Sequence, residues 1–344
     1  MQQLITLRGD LLNEHGELRQ AGYATSLCLD YRRDQIQAHA LRIKEWDYYY
    51  LGNQHIGLAL TIADNSYMGL VSVSLFDFDA PREETVTGMT LFPMGKTRLP
   101  SSSSFGDTTF HNSRFQLRFT HDGSGKRHLF CDCKKFRGEE TLHAEFELLS
   151  EPQDSMVIAT PFTGHPKAFY YNQKINCMPV HGTIRLGDWT YECLPQETFA
   201  VLDWGRGVWT YRNTWYWSSL STILDGHTVG FNLGYGFGDT SAATENMIFY
   251  DGIAHKLEQV HFDIPQQKGQ DNFMGTWSIH DDQGHLNLTF APILDRSSKT
   301  SLVVIKSIQH QVFGRFSGTI QWNDGRVLTL QDVVGFAEKV YNCW

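Results

Sequence analysis

The stretch LVSVSLFDF at residues 70–78 sets valine and leucine against serine in strict alternation before closing on phenylalanine and aspartate. Successive side chains of a β-strand leave opposite faces, so a period of two marks a half-buried strand. The same period returns in SRFQLRF (113–119), LHAEFELL (142–149) and FNLGYGF (231–237). Five turn pairs punctuate the chain: Asp64-Asn65, Asp122-Gly123, Asp225-Gly226, Asp251-Gly252 and Asp324-Gly325, each suited to a tight hairpin. No segment carries a long, capped helical period. The expectation is an all-β protein of antiparallel barrels or sandwiches with few helices.

An internal repeat divides the chain. IADNSYMG from Ile62 to Gly69 returns as ILDGHTVG from Ile223 to Gly230, and at the same offset Phe76 meets Phe237 and Glu84 meets Glu245. A second echo joins Gly182-Thr183-Ile184 to Gly318-Thr319-Ile320, with Asp188 matching Asp324 and Leu194 matching Leu330. Asp203 lies six residues before Trp209, as Glu338 lies six before Trp344. Two copies of one β-unit follow, 1–204 and 205–344, in keeping with a chain too long for one typical core.

Composition narrows the partners. The 344 residues carry a net charge of −9, which argues against nucleic acid or an anionic membrane, since both call for a basic face. The first twenty residues place charges where a signal peptide would be apolar, and the longest uncharged runs, Asn213–Leu224 and Thr228–Gly238, are too short to span a bilayer. A cytoplasmic protein without a membrane span is expected, its six cysteines free thiols. Cys131-Asp132-Cys133 lacks a second ligand pair, so two neighbours buried on one strand face are favoured over a metal site. No metal or cofactor is expected.

The chemistry concentrates between Asp203 and Asn246, where four of the nine tryptophans fall: DWGRGVW (203–209), WYW (215–217), NLGYGFGD (232–239) and TEN (244–246). Wide rings beside charge, with glycines clearing space, are what a lined cavity needs. Two roles fit Asp203: an acid or base whose pKa is raised by Trp204 and Trp209, or one half of a structural ion pair with Arg206. Arg206, between two glycines, suits a carboxylate or enolate oxygen. Trp215 and Trp217 share one strand face and Tyr216 takes the other. In FNLGYGF, Phe231, Leu233, Tyr235 and Phe237 form an apolar face, while Asn232 and the glycines leave room. Glu245 with Asn246 is either a second acid/base with an orienting amide or a turn bonded to nearby backbone. No nucleophile elbow or phosphate-binding glycine loop is present.

The chain resembles, nearly end to end, the bacterial family catalogued as domain of unknown function 2804. The motifs carrying this are GELRQAGYA (16–24), KEWDYY (44–49), LPSSS (99–103), ATPF (159–162), FYYNQKINCMP (169–179), DWGRGVW, WYW and NLGYGFGD. More distantly it is similar to the two-domain lipocalin-like group of AttH-type proteins, carotenoid 1,2-hydratases and fungal Diels–Alderases. That resemblance implies two lipocalin-like β-units and a small apolar ligand, and transfers no catalytic residue.

Three function classes remain open. One is an enzyme that hydrates, isomerises or cyclises a hydrophobic molecule of the lipid or polyene class, with Asp203 and Glu245 as acid/base. The second is a non-catalytic carrier or sensor of such a ligand. The third is carbohydrate recognition through exposed tryptophan. In each, Trp204, Arg206, Trp209, Trp215, Tyr216, Trp217, Asn232, Tyr235 and Asn246 are the binding candidates.

Overall fold

The computed structural model describes residues 2–302, 305–322 and 325–344. Strand dominates; among the described residues the helical segments are two short 3-10 turns, Arg33–Gln35 and Ala40–Arg42. No helix is long and apolar enough to cross a membrane among the described residues.

Two curled antiparallel sheets carry the fold. In the first, the strand order runs Arg82–Leu91, Met68–Asp77, Ile56–Asp64, Ile43–Gly52, Phe199–Val208, His165–Leu186, Glu140–Leu148, Arg127–Arg137, Phe115–His121 and Thr108–His111. The second runs Ile253–Lys256, Met247–Tyr250, His227–Tyr235, Arg212–Leu224, Val327–Cys343, Ile305–Gln321, Leu286–Leu302, Trp277–Asp281 and Val260–Asp263. The expected strands correspond to Met68–Asp77, Phe115–His121, Glu140–Leu148 and His227–Tyr235, with Phe78, Ser113, Arg114, Leu149, Gly236 and Phe237 just outside them.

The centre of each sheet is built in the same way. The last long strand of each half pairs with that half's first long strand: Phe199–Val208 with Ile43–Gly52, and Val327–Cys343 with Arg212–Leu224. The penultimate strand lies on the other side, His165–Leu186 in one half and Ile305–Gln321 in the other. The repeat is therefore present in strand order. The Gly182/Gly318 echo falls on these corresponding strands, whereas Ile62–Gly69 corresponds to a hairpin one strand further along than Ile223–Gly230. Asp324 lies outside the described residues.

Turn chemistry follows the sequence where two consecutive residues take positive φ. Asp225 and Gly226 (51° and 82°) and Asp251 and Gly252 (47° and 80°) close tight hairpins. Asp64-Asn65 differs: the left-handed residue is Ser66, and Asp64 caps its N–H at 2.9 Å.

The strands near the junction are buried on both faces, and this positions the site. Tyr49, Leu51, Leu202 and Trp204 join the core of the first half, while Tyr48, Tyr50 and Val201 pack against Trp217, Phe313 and Phe336 of the second. Phe76 and Phe313 meet at 4.3 Å between ring centres, and Tyr50 and Phe313 at 5.2 Å. Burial of such rings is the main force holding the two sheets together. Cys131 and Cys133 lie side by side in the first core, and all six cysteines are free.

Candidate functional site

Along the sheet-to-sheet contact the side chains change character in steps. On the Val327–Cys343 strand, Val334 and Phe336 belong to the dry aromatic cluster, followed on the same face by Glu338, Val340, Asn342 and Trp344. Facing them, Val201 gives way to Asp203, and Tyr50 gives way to Tyr48 and Trp46. The tight packing ends where the carboxyls begin. A cavity of about 220 Å³ opens there, lined from both sheets.

Asp203 is placed by register. It lies opposite Lys174 on one side and Tyr48 on the other, so all three project from one face. Lys174 Nζ is 2.9 Å from Asp203 Oδ1, and Asn172 Nδ2 donates to the same oxygen at 2.6 Å. Glu338 holds the corresponding position in the second half, opposite Trp217 and Gln311. Trp215 Nε1 donates to its Oε1 at 2.8 Å. Burial, more than any other influence, lifts Glu338 from the usual carboxylic range to about 7; the Trp215 bond and Lys174 oppose the rise and nearby Asp203 adds to it.

Glu245 supplies a third carboxyl. Its carboxylate has no hydrogen-bond partner among the described residues and faces the cavity, 8% exposed. Burial raises its pKa as well, and Asp203 contributes in the same direction against Lys174 and Lys256. Gly234 makes the room: a Cβ there would stand 3.1 Å from the Glu245 carboxyl carbon.

Aromatic rings form the far wall. Trp209 packs edge-on to Trp46, Trp215 and Phe237, with centres 5.4, 5.6 and 4.8 Å away. Trp46 lies over Gly205, where a Cβ would come within 2.0 Å of the indole. That glycine is therefore a seat for the ring. Phe237 departs from the apolar face expected for it. The strand stops at Tyr235, Gly236 takes a φ of +88°, and Phe237 turns back into the cage.

Of the residues singled out in sequence, Asp203, Glu245, Trp209, Trp215 and Trp217 meet at the cavity. Tyr216 borders it, but its ring stacks on Tyr235 at 4.4 Å. Arg206 does not reach it. Residues three apart on a strand leave opposite faces, so the Asp203–Arg206 pair does not form. Arg206 is fully buried on the other side, bonded to Asp47 Oδ1 (2.9 Å), the Trp46 carbonyl (2.7 Å) and the Pro100 carbonyl (2.7 Å), and stacked on Trp204 at 4.4 Å. Its donors are spent inside the first half, and Trp204 is buried there with it.

Asn232, Tyr235 and Asn246 also stay out of the cavity. Asn232 accepts from Trp217 Nε1 at 2.7 Å and donates to the Glu245 carbonyl at 2.8 Å, fixing two wall residues at once. Asn246 bonds the Gly234 N–H and the Glu258 carbonyl, both at 2.7 Å, and anchors the segment that delivers Glu245.

Sequence reasoning missed Glu338, Lys174, Trp46, Tyr48, Gln311 and Arg296 as wall residues. Signals existed for four of them. Trp46 and Tyr48 sit in KEWDYY and Lys174 in FYYNQKINCMP, on strands flanking DWGRGVW. Glu338 shares with Asp203 the six-residue spacing to a tryptophan. Gln311 and Arg296, which bond each other at 3.0 Å, carry no such mark.

Comparison with known proteins now becomes informative. The structure is similar to that of the AttH-like protein of Nitrosomonas europaea, at 12% identity over 90% of this chain and 96% of that one, with a TM-score of 0.50. It is similar to CghA solved with Sch210972, at 8% identity over 98% and 97% of the two chains, TM-score 0.50. Kievitone hydratase from Nectria haematococca aligns at 9% identity over 98% of each chain, TM-score 0.49. At such identities the first two likenesses establish a shared fold, the two-domain lipocalin-like architecture. No curated protein matches the sequence. The family model described as domain of unknown function DUF2804 matches residues 2–344: the chain belongs to the DUF2804 family.

Proposed function

We propose that this protein binds a small, largely hydrophobic molecule in the cavity between its two sheets and acts on it by proton transfer, with Glu338 as the acid. The observation that carries this reading is a carboxyl whose pKa lies near 7 in an aromatic-walled, mostly buried cavity. A general acid works best when its pKa is near the operating pH, and an aromatic wall favours an apolar substrate. Asp203, fixed by Lys174 and Asn172, is the complementary base, and Glu245 is a second acid in reach of the same space. Protonation of a double bond by Glu338, followed by proton loss to Asp203, gives isomerisation; capture by water gives hydration. Cyclisation needs the same first step.

The volume bounds the ligand. About 220 Å³ falls below the ~300–1,000 Å³ usual for drug-sized ligands, so the cavity suits a compact molecule or one end of a longer lipid or polyene. Carbohydrate binding is less favoured, because Trp204, Trp209 and Trp217 are each at most 8% exposed. Two units remain part of this proposal, supported by strands pairing separately up to Val208 and from Arg212; residues 205–208 pair within the first sheet, so the boundary moves from 204/205 to 209–211.

Native mass spectrometry of protein from its own host, with organic extraction of what stays bound, tests the reading. A retained apolar compound that wild type converts and Glu338→Gln only binds supports it. A compound bound and left unchanged by wild type moves the protein to the carrier class, and an empty protein refusing apolar probes removes the reading.

A further inference from the structure

The cavity holds more carboxyl than cation. Asp203, Glu245 and Glu338 face Lys174 and Arg296, and the two cations are already engaged. Lys174 is committed to Asp203 at 2.9 Å, and Arg296 donates to Gln311 at 3.0 Å. Glu338 accepts one N–H, from Trp215, and Glu245 accepts none among the described residues although it is about nine-tenths buried. A buried carboxylate without a partner is costly, and it is normally matched by a cation or by a proton. No histidine lines the space; Tyr48 and Tyr170 do, and burial raises both phenols far above neutrality.

The rings beside these carboxyls offer what a cation binds. Aromatic faces attract positive charge, most strongly when it is desolvated, and cages of rings with acidic neighbours suit alkylated ammonium groups. The same contact exists at the wall itself: Lys174 Nζ lies 4.0 Å from the centre of the Trp217 ring. Trp46, Trp209, Trp215 and Phe237 complete the wall, and among the described residues no Lys or Arg lies over these four rings.

We propose that the ligand carries an alkylated ammonium group, seated against the aromatic wall with Glu245 as its counter-charge. This rests on the reading of the cavity as the ligand site and adds the substrate class: an apolar molecule bearing a positively charged nitrogen. Binding of the cation displaces the proton that Glu245 otherwise holds, while Glu338 keeps the one it donates.

Two probes of one shape separate charge from fit: (3-hydroxypropyl)trimethylammonium and its carbon isostere 4,4-dimethylpentan-1-ol. Isothermal titration calorimetry on the full chain should show the ammonium probe bound at least about tenfold more tightly than the isostere at pH 8. Proton release, read by repeating the titration in buffers of different ionisation enthalpy, should accompany its binding and be lost in Glu245→Gln. Glu245→Gln should shrink the preference while isostere binding persists, which also shows that the variant is folded. Equal binding, or a preference for the isostere, overturns the ammonium proposal and leaves an apolar site standing. Binding of neither probe at millimolar concentration overturns it too, and the extraction experiment then decides the apolar site separately.

Discussion

Lys174 Nζ lies 4.0 Å above the ring of Trp217, a contact from the penultimate strand of the first half to the first long strand of the second. The reciprocal contact exists: Gln311, on the corresponding penultimate strand, donates to Tyr48 Oη at 3.2 Å. Tyr48 and Trp217 themselves meet edge-on at 5.9 Å. The halves are thus joined by exchanged contacts about an approximate two-fold relation. Asp203 and Glu338 occupy matching positions on either side of it, but their partners differ. One carboxyl has a lysine opposite and the other a glutamine, and that difference separates their roles.

Removing the lysine should expose how much Asp203 depends on it. Lys174→Met leaves a buried carboxylate with only the Asn172 amide, a change that costs roughly 3–5 kcal/mol when one partner of a buried pair is deleted. Urea unfolding should show the loss, and adding Asp203→Asn should recover much of it. A single variant within about 1 kcal/mol of wild type would mean that the ion pair is immaterial to the fold.

Stability should carry the signature of Glu338. Its pKa is raised on folding, so the native state holds its proton more tightly than the unfolded chain does. The contribution is complete below the unfolded value near 4.5 and is lost as pH rises through about 7. Glu338→Gln keeps an acceptor for Trp215 and carries no charge, so it should match wild type at pH 4–5 and exceed it at pH 8. Thermal midpoints across that window check the sign; a gap that is constant with pH contradicts it.

Trp215→Phe isolates the hydrogen bond. The indole N–H favours the ionised carboxylate, so its loss should push the Glu338 pKa higher. Any activity or ligand affinity that follows Glu338 should shift its pH profile upward in this variant, a change that simple loss of packing does not produce.

Gly205 tests the seat of Trp46. An alanine methyl would meet the indole at 2.0 Å, so Gly205→Ala should displace the ring and destabilise by about 1–3 kcal/mol. Tryptophan fluorescence and urea midpoints should move together. Unchanged emission and stability would show that the ring lies elsewhere.

The fold was readable because β-periodicity and turn chemistry are local. Val71, Val73 and Leu75 on one face of LVSVSLFDF announced a half-buried strand; only the fold shows the other face buried as well, with Phe76 against the second half. The site was readable as a neighbourhood. Trp209, Trp215 and Trp217 were found because rings beside glycines are conspicuous, and Asp203 because a lone carboxylate among them is. Arg206 was misplaced for a reason that alternation itself supplies, its distance of three residues from Asp203. Glu338 and Lys174 escaped because their environment is set by strands far apart in sequence, and only folding brings Trp215 and Asp203 to them.

The most direct test of the account is a crystal structure with the extracted ligand, or with an apolar probe that binds, soaked to saturation. The account predicts density between the sheets, against Trp46 and Trp217 and within reach of the Glu338 and Glu245 carboxyls. A ligand seated elsewhere, with this cavity holding only water, would contradict it.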